Sequence, residues 1–352
     1  MIGGADVEKV HFGITNFELV DPGMQAIPDR LDIGVKDKYL EIKISIKPLA
    51  DYEKVMRRLR ILKGVDVTCE MLIESASQNI KQLKSFVDNL CWILSVARGT
   101  SIQWIYIYQY DDRGNCTSRS FFPRKTKPYC PLYIIAPIIK DTKLFLEKVY
   151  PSYIERRDSY RLNEGIIASY IDAKIETDYL EARGVKLVVA MEMLKDMFLE
   201  LPDTPIKYRI IEDNDFKELL EDLQKAIGNV LKSNGRISKS ERGDIYKNIL
   251  GLNHRSFPQV LEKLCEKLDF EPKKEDIDLF ITCRNSLVHR GRYYCQTATP
   301  EEKAKRNPKS TAFEEYMFLV NFLDRIFLKM LNYGENHYID WSKLPPTRRI
   351  LT

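Results

Sequence analysis

Ile281-Thr282-Cys283-Arg284-Asn285-Ser286-Leu287-Val288-His289-Arg290-Gly291 closes a helical stretch that begins near Lys274. Gly291 suits a helix C-terminus, which puts His289 in the last turn. Asn285 and His289 are four residues apart, so they share one helix face, and the long fork of Arg284 reaches the same spot. A neutral-pH proton carrier, a fixed cation and an amide at one helix end form a minimal site for phosphoryl chemistry. Imidazole moves a proton, guanidinium holds a phosphate oxygen in bidentate fashion, and the amide orients either. The spacing also fits a structural role, because a C-terminal histidine serves the helix dipole.

Outward from this stretch the second half of the chain reads as helical almost throughout. Helices are predicted over 140–158, with Pro151 breaking or starting a turn, and over 162–200, with a weak interruption at Gly184. Leu201-Pro202-Asp203-Thr204-Pro205 is a stop. Further helices fit 215–231, 239–249, 257–268, 274–289 and 311–331. The polar stretches 232–238 and 291–309 read as irregular connections. Antiparallel helices joined this way describe a bundle, its core at Leu187, Val188, Leu194, Leu279, Phe280 and the apolar stripe of 318–331.

The first half alternates strand-like and helix-like segments. Leu40, Ile42, Ile44 and Ile46 keep period two, 51–62 reads as a short helix, and 65–72 as another strand. Ile80, Leu83, Phe86, Val87, Leu90, Ile93 and Leu94 stripe a buried helix. The aromatic run 102–110, the turn Asp111-Asp112-Arg113-Gly114-Asn115 and the run 116–122 form a hairpin. Aromatics on strands are commonly core, and base stacking is the competing reading. The expected organisation is therefore an α+β domain at 1–138, a connecting helix at 139–158 and an all-α bundle at 159–340.

The 352 residues carry 55 basic and 51 acidic side chains, a net +4 too small to make the whole surface a polyanion binder. Locally the balance differs. Between Arg284 and Lys309 seven basic residues face Glu301 and Glu302, a net +5 in 26 residues that attracts phosphates or acidic partners. Seven dispersed cysteines without a C-x-x-C pair read as reduced thiols, and four histidines leave most metal-hydrolase sites short of ligands. No metal and no cofactor is expected. No apolar run approaches the ~20 residues of a membrane span, and the N-terminus lacks a signal-peptide core, so a cytoplasmic protein is expected. Phosphate-binding glycine loops, H-E-x-x-H and G-x-S-x-G are absent, which removes support for P-loop ATPases, Rossmann oxidoreductases, zincins and α/β-hydrolases.

Arg284-Asn285-Ser286-Leu287-Val288-His289 resembles the motif of HEPN domains: an arginine, a polar residue directly after it, and a histidine a few residues on. The neighbourhood resembles the Apea-like branch of that family over about 155–340. Residues 187–194 are similar to an early bundle helix, Gly251-Leu252-Asn253 with Ser256-Phe257 to a turn before the motif helix, and 318–333 to the closing helix. The resemblance implies a metal-independent endoribonuclease that dimerises to bring two motifs together and acts as a defence or toxin effector. It implies that Arg284 and His289 are catalytic, with Asn285 in support. RNA is the implied substrate, tRNA or another single-stranded loop, and a trigger or regulatory partner is expected. Arg290, Arg292 and Tyr293, with Tyr294, follow the motif and are candidates for RNA contact by phosphate pairing and stacking. Some HEPN toxins carry a modifiable tyrosine two residues after the histidine; here that place is Gly291.

Glu192 interrupts the apolar stretch 187–194. It pairs with Arg284 inside the bundle, or it joins Lys195 and Asp196 on a polar stripe. Rival functions are a catalytically inactive HEPN module kept for dimerisation or binding, and nucleotide sensing by the first half.

Overall fold

The computed structural model describes residues 9–20, 30–36, 41–74, 79–160, 162–176, 178–201, 206–233, 237–306, 309–342 and 345–351. An antiparallel sheet region comes first and a mostly helical region follows. The chain runs β1 (Lys9–Thr15), β2 (Leu31–Lys36), β3 (Glu41–Pro48), α1 (Tyr52–Leu62), β4 (Val67–Glu74), α2 (Ile80–Arg98), β5 (Trp104–Tyr110) and β6 (Cys116–Phe121). The six strands form one sheet in the order β2-β3-β4-β1-β5-β6, every pair antiparallel. One of the two central strands, β1, has no counterpart in the sequence reading, nor does the edge strand β2.

Strand parity divides the sheet into two faces. Val10, Phe12 and Ile14 of β1, Met71 and Ile73 of β4 and Ile107 of β5 are buried. Helix α2 packs on this side with Leu83, Phe86, Val87, Leu90, Ile93 and Leu94, the stripe its sequence carries. It starts at an Asn79 side-chain cap and ends at Gly99 in the left-handed region. Arg98, fully buried, is held by Glu18 O (3.2 Å), Ile135 O (3.3 Å) and the Thr142 hydroxyl (2.6 Å).

Helix α3 (Ile139–Arg156) runs through Pro151 without stopping, contrary to expectation. A π-helical turn (Leu162–Ile166) leads into α4 (Ile167–Lys174), and α5 (Leu180–Leu199) follows. The expected long helix thus breaks at Ile175, not at Gly184, which lies inside α5. Next come α6 (Asp213–Ser233), α7 (Lys239–Leu250), α8 (Phe257–Lys267) and α9 (Lys274–Arg290). The stretch 291–309, expected to be irregular, holds α10 (Tyr294–Thr297) and α11 (Pro300–Arg306). Helix α12 (Ala312–Met330) starts at a Thr311–Glu314 capping box and is buried along most of its length. The strands β7 (His337–Asp340) and β8 (Thr347–Ile350) end the chain as a hairpin that sequence reading missed. Of the stop at 201–205, residues 202–205 lie outside the described residues.

Contacts divide the chain into two compact units, 1–194 with 273–352, and 195–272. This differs from the expected division at 138 and 159. The physical reason is a set of bonds across that boundary: Lys127 to Asp172 (3.2 Å), Ile339 N–H to Ile134 O (2.7 Å) and Trp341 Nε1 to Tyr133 O (2.7 Å). Inside the larger unit, fully buried Lys174 and Asp324 pair at 2.8 Å, and the Tyr170 hydroxyl also donates to Asp324. The smaller unit carries α6, α7 and α8. Its buried Asn253 amide exchanges two 2.9 Å bonds with the Ile211 backbone, and the ring of Tyr208 stacks on His254 at 4.6 Å.

Candidate functional site

Helix α9 carries the motif. Its inner face, Leu279, Phe280, Cys283 and Leu287, is buried, and Phe280 stacks on Phe322 of α12 at 4.6 Å. That packing turns Arg284, Asn285 and His289 toward the surface. Gly291 ends the helix at φ +63°, its N–H bonded to Leu287 O at 3.1 Å, as the sequence requires.

Arg284 does not point freely outward. Its Nε and Nη2 donate to one oxygen of Glu192 on α5, at 2.9 and 2.6 Å, and its Nη1 donates to Asn285 Oδ1 at 2.9 Å. Arg284 and Glu192 are only 20% and 26% exposed, so the guanidinium is held in a fixed plane in a partly desolvated place. Of the two readings of Glu192, the pairing with Arg284 is the one found. The sequence offered both readings of this lone carboxylate inside an apolar run, and the packing of α5 against α9 selects the pair.

Asn285 and His289 both line a pocket of about 210 Å³ with Thr282, Ser286, Arg290, Tyr294 and Glu302. Both side chains are exposed, and among the described residues no hydrogen bond joins them. The expected common face is there; the contact is not. The pocket brings an imidazole, an amide and a cation to one small concavity, with Arg284 anchored at its edge through Asn285.

The residues after the motif divide. Arg290 and Arg292 are exposed, and Arg290 Nη1 reaches Thr297 O at 3.4 Å. Tyr293 is 0% exposed and Tyr294 4%. The Tyr293 hydroxyl donates to Leu180 O at 2.9 Å and lies against Gly184, where a built Cβ would stand 2.5 Å from its oxygen. Neither ring is presented for stacking, so the expected RNA contact through Tyr293 is corrected: this residue is core. Gly184 is there to admit it. Of the basic window, Lys303 is exposed, and the Lys309 ammonium lies 5.4 Å from the ring of Phe318.

Sequence reading also missed Glu315 and Ser286. Glu315 on α12 is buried and accepts the Cys295 N–H at 2.9 Å, holding α10 behind the motif helix. Burial pushes its carboxyl up to about 7, against the hydrogen bonds it receives from Cys295, Tyr294 and the Cys283 thiol. The Ser286 hydroxyl donates to Arg292 O at 2.8 Å and meets the Thr297 hydroxyl at 2.9 Å. The segment after the histidine is thereby tied to α9.

Among the described residues no group of three or more histidine, cysteine or acidic side chains is placed to hold a metal ion, and no helix is long and apolar enough to cross a membrane. Residues 3–130 match the family model of the YopA central domain, little more than a third of the chain. No curated protein and no solved structure matches this chain.

Proposed function

We propose that the helical part is a HEPN-type bundle and that the chain is a metal-independent endoribonuclease, a defence or toxin effector working as a homodimer. The observation that carries this reading is the Arg284–Asn285–His289 group at the end of α9, with Arg284 fixed by Glu192 and His289 exposed in a small pocket. In this reading the ribose 2′-hydroxyl attacks the adjacent phosphate and the P–O5′ bond breaks, leaving a 2′,3′-cyclic phosphate and a free 5′-hydroxyl. His289 moves the proton, Arg284 stabilises charge on the phosphorane, and Asn285 orients the pair. Cleavage needs one proton removed and one supplied, and each chain offers a single motif histidine. A second copy across a two-fold axis supplies the other, with two His289 side chains facing a shared cleft.

A second reading rests on the same bonds. Arg284 is engaged by Glu192 and Asn285, an arrangement that also suits a bundle kept for dimerisation or binding, without catalysis.

Incubating the purified full chain with total RNA in EDTA separates the two. The nuclease reading expects cleavage that His289→Ala lowers by ~10²–10⁴ with an unchanged melting temperature. Arg284→Lys should not rescue it, because an ammonium lacks the planar fork. The binding-module reading expects intact RNA in every case, with Arg284 substitutions lowering stability or dimer content. A wild-type chain that leaves all RNA intact overturns the nuclease reading.

A further inference from the structure

The outer face of the sheet carries a second feature that the helix-end site does not use. Alternation puts Val10, Phe12 and Ile14 of β1 in the core at 0% exposure, so Lys9, His11 and Gly13 face outward. Register then fixes their neighbours. His11 is opposite Tyr108 and Gly13 opposite Tyr106 on β5, while Tyr108 is opposite Arg119 and Tyr106 opposite Phe121 on β6. Directly paired residues lie on one face, so these side chains form one outward patch.

Their contacts make the patch a continuous cluster of aromatic rings. Tyr106 and Tyr108 stack at 4.6 Å between centroids with 21° between planes, and His11 sits 4.6 Å from Tyr110. Phe121 is 6.1 Å from both Tyr106 and Tyr108, and it is 68% exposed. The Tyr106 ring lies directly over Gly13: a built Cβ there would stand 2.0 Å from Cε1, so only glycine lets the ring lie down on the strand. Glu70 fixes the arrangement, accepting the Tyr106 hydroxyl at 2.7 Å and meeting His11 Nδ1 at 3.5 Å.

Charge on this face favours a polyanion. Arg119 lies 5.5 Å from the Tyr108 ring, its cation against no carboxylate among the described residues. Lys9, Lys43 and Lys47 share the face. Of the carboxylates on this face among the described side chains, Asp32 is taken by Arg30 at 2.7 Å and Glu70 by the bonds just given, which leaves Glu74. An exposed Phe121 and half-exposed tyrosine rings bordered by cations suit unpaired bases with their phosphates; in a duplex the base faces are hidden against each other.

We propose that the outer face of β1, β5 and β6 is a stacking platform for single-stranded RNA, with Tyr108 and Phe121 under the bases and Arg119 on a phosphate. RNA as the natural strand rests on the ribonuclease reading; the platform itself is tested without it. The full chain carrying His289→Ala, which spares the strand, is titrated against a fluorescein-labelled 12-nucleotide single-stranded RNA of mixed sequence, read by anisotropy. Saturable binding is expected, weakening as salt rises, with the matching duplex bound at least about tenfold less tightly. Phe121→Ala and Tyr108→Ala should each weaken binding about tenfold, and Arg119→Ala should reduce the salt dependence. Phe121 is largely exposed, so its variant should melt with the parent. No saturable binding, or equal binding by parent and Phe121→Ala, overturns the platform. So does a Phe121→Ala variant that loses self-association in sedimentation while binding RNA as before, which would make the face a protein contact. If the parent sequence cuts RNA and the platform variants bind unchanged, the platform alone falls. If nothing is cut and the platform still binds, the nuclease reading alone falls.

Discussion

Strand β5 carries Tyr106, Tyr108 and Tyr110 at every second position, while the segment behind His289 carries Tyr293 and Tyr294 side by side. The strand tyrosines stand on the outer face of the sheet, half-exposed, with Ile107 turned the other way into the core. Tyr293 and Tyr294 are buried, and the hydroxyl of Tyr293 is spent on the Leu180 carbonyl. What separates them is chain direction, not residue type. A strand must alternate, so three aromatics at period two share one face. A helix ended by a left-handed glycine turns its chain back, and here that return packs against α5, so the aromatics that follow go inward. An aromatic next to a catalytic-looking histidine is thus scaffold, and aromatics on a strand far away in sequence are the available ones.

The largest expected effect tests that contrast directly. Tyr293→Ala should cost ~3–5 kcal/mol, since it empties a fully buried aromatic site and removes the hydroxyl's bond to the Leu180 carbonyl. Phe121→Ala should stay within ~0.5 kcal/mol. Urea unfolding of the two variants measures both, and equal losses would break the comparison.

A smaller effect sharpens it. Gly184→Ala places a Cβ where the Tyr293 hydroxyl now lies, and overpacking of this kind costs ~1–3 kcal/mol. Tyr293→Phe removes the nearest of the conflicting atoms and leaves Cζ at 2.9 Å, so the double variant should be more stable than the sum of the single losses requires. A purely additive cycle would mean that the hydroxyl does not set the need for glycine.

The smallest effect belongs to Glu315, which holds Cys295 on the buried side of the same segment. Its carboxyl is raised to about 7 in the folded chain, so the folded state keeps a proton that the unfolded state has released. The stability this gives is fully present below the ordinary carboxylate range and is lost as pH climbs through about 7. Glu315→Gln keeps an acceptor for the Cys295 N–H without the charge. It should flatten the melting curve against pH between about 5 and 8 and raise the melting temperature at pH 8 by a few degrees. A variant with unchanged pH dependence would show that Glu315 does not titrate there.

Much of the local structure was legible. Helix α2 and the hairpin of β5 and β6 followed from periodicity and turn chemistry, and α9 ended at Gly291 as its composition required. The strand β1 was not. Lys9-Val10-His11-Phe12-Gly13-Ile14-Thr15 includes a glycine, and its outward positions gain their meaning only from Tyr106 and Tyr108 across the ladder. Helix α5 was misread at Gly184 for a similar reason, because a glycine inside a helix looks like a break until the ring it admits is known.

The sequence by itself determined the short-range features: which residues share a helix face, where α9 stops, and that Arg284, Asn285 and His289 gather at one end of it. These depend on periodicity and backbone preference over a few neighbouring residues. Only the tertiary structure decided that Glu192 holds Arg284 across 92 positions, that Tyr293 is core and that Phe121 is surface. It also joined the sheet to the closing helices in one compact unit. Those outcomes depend on which long-range surfaces meet, and burial and pairing are properties of both partners at once, so neither segment alone encodes them.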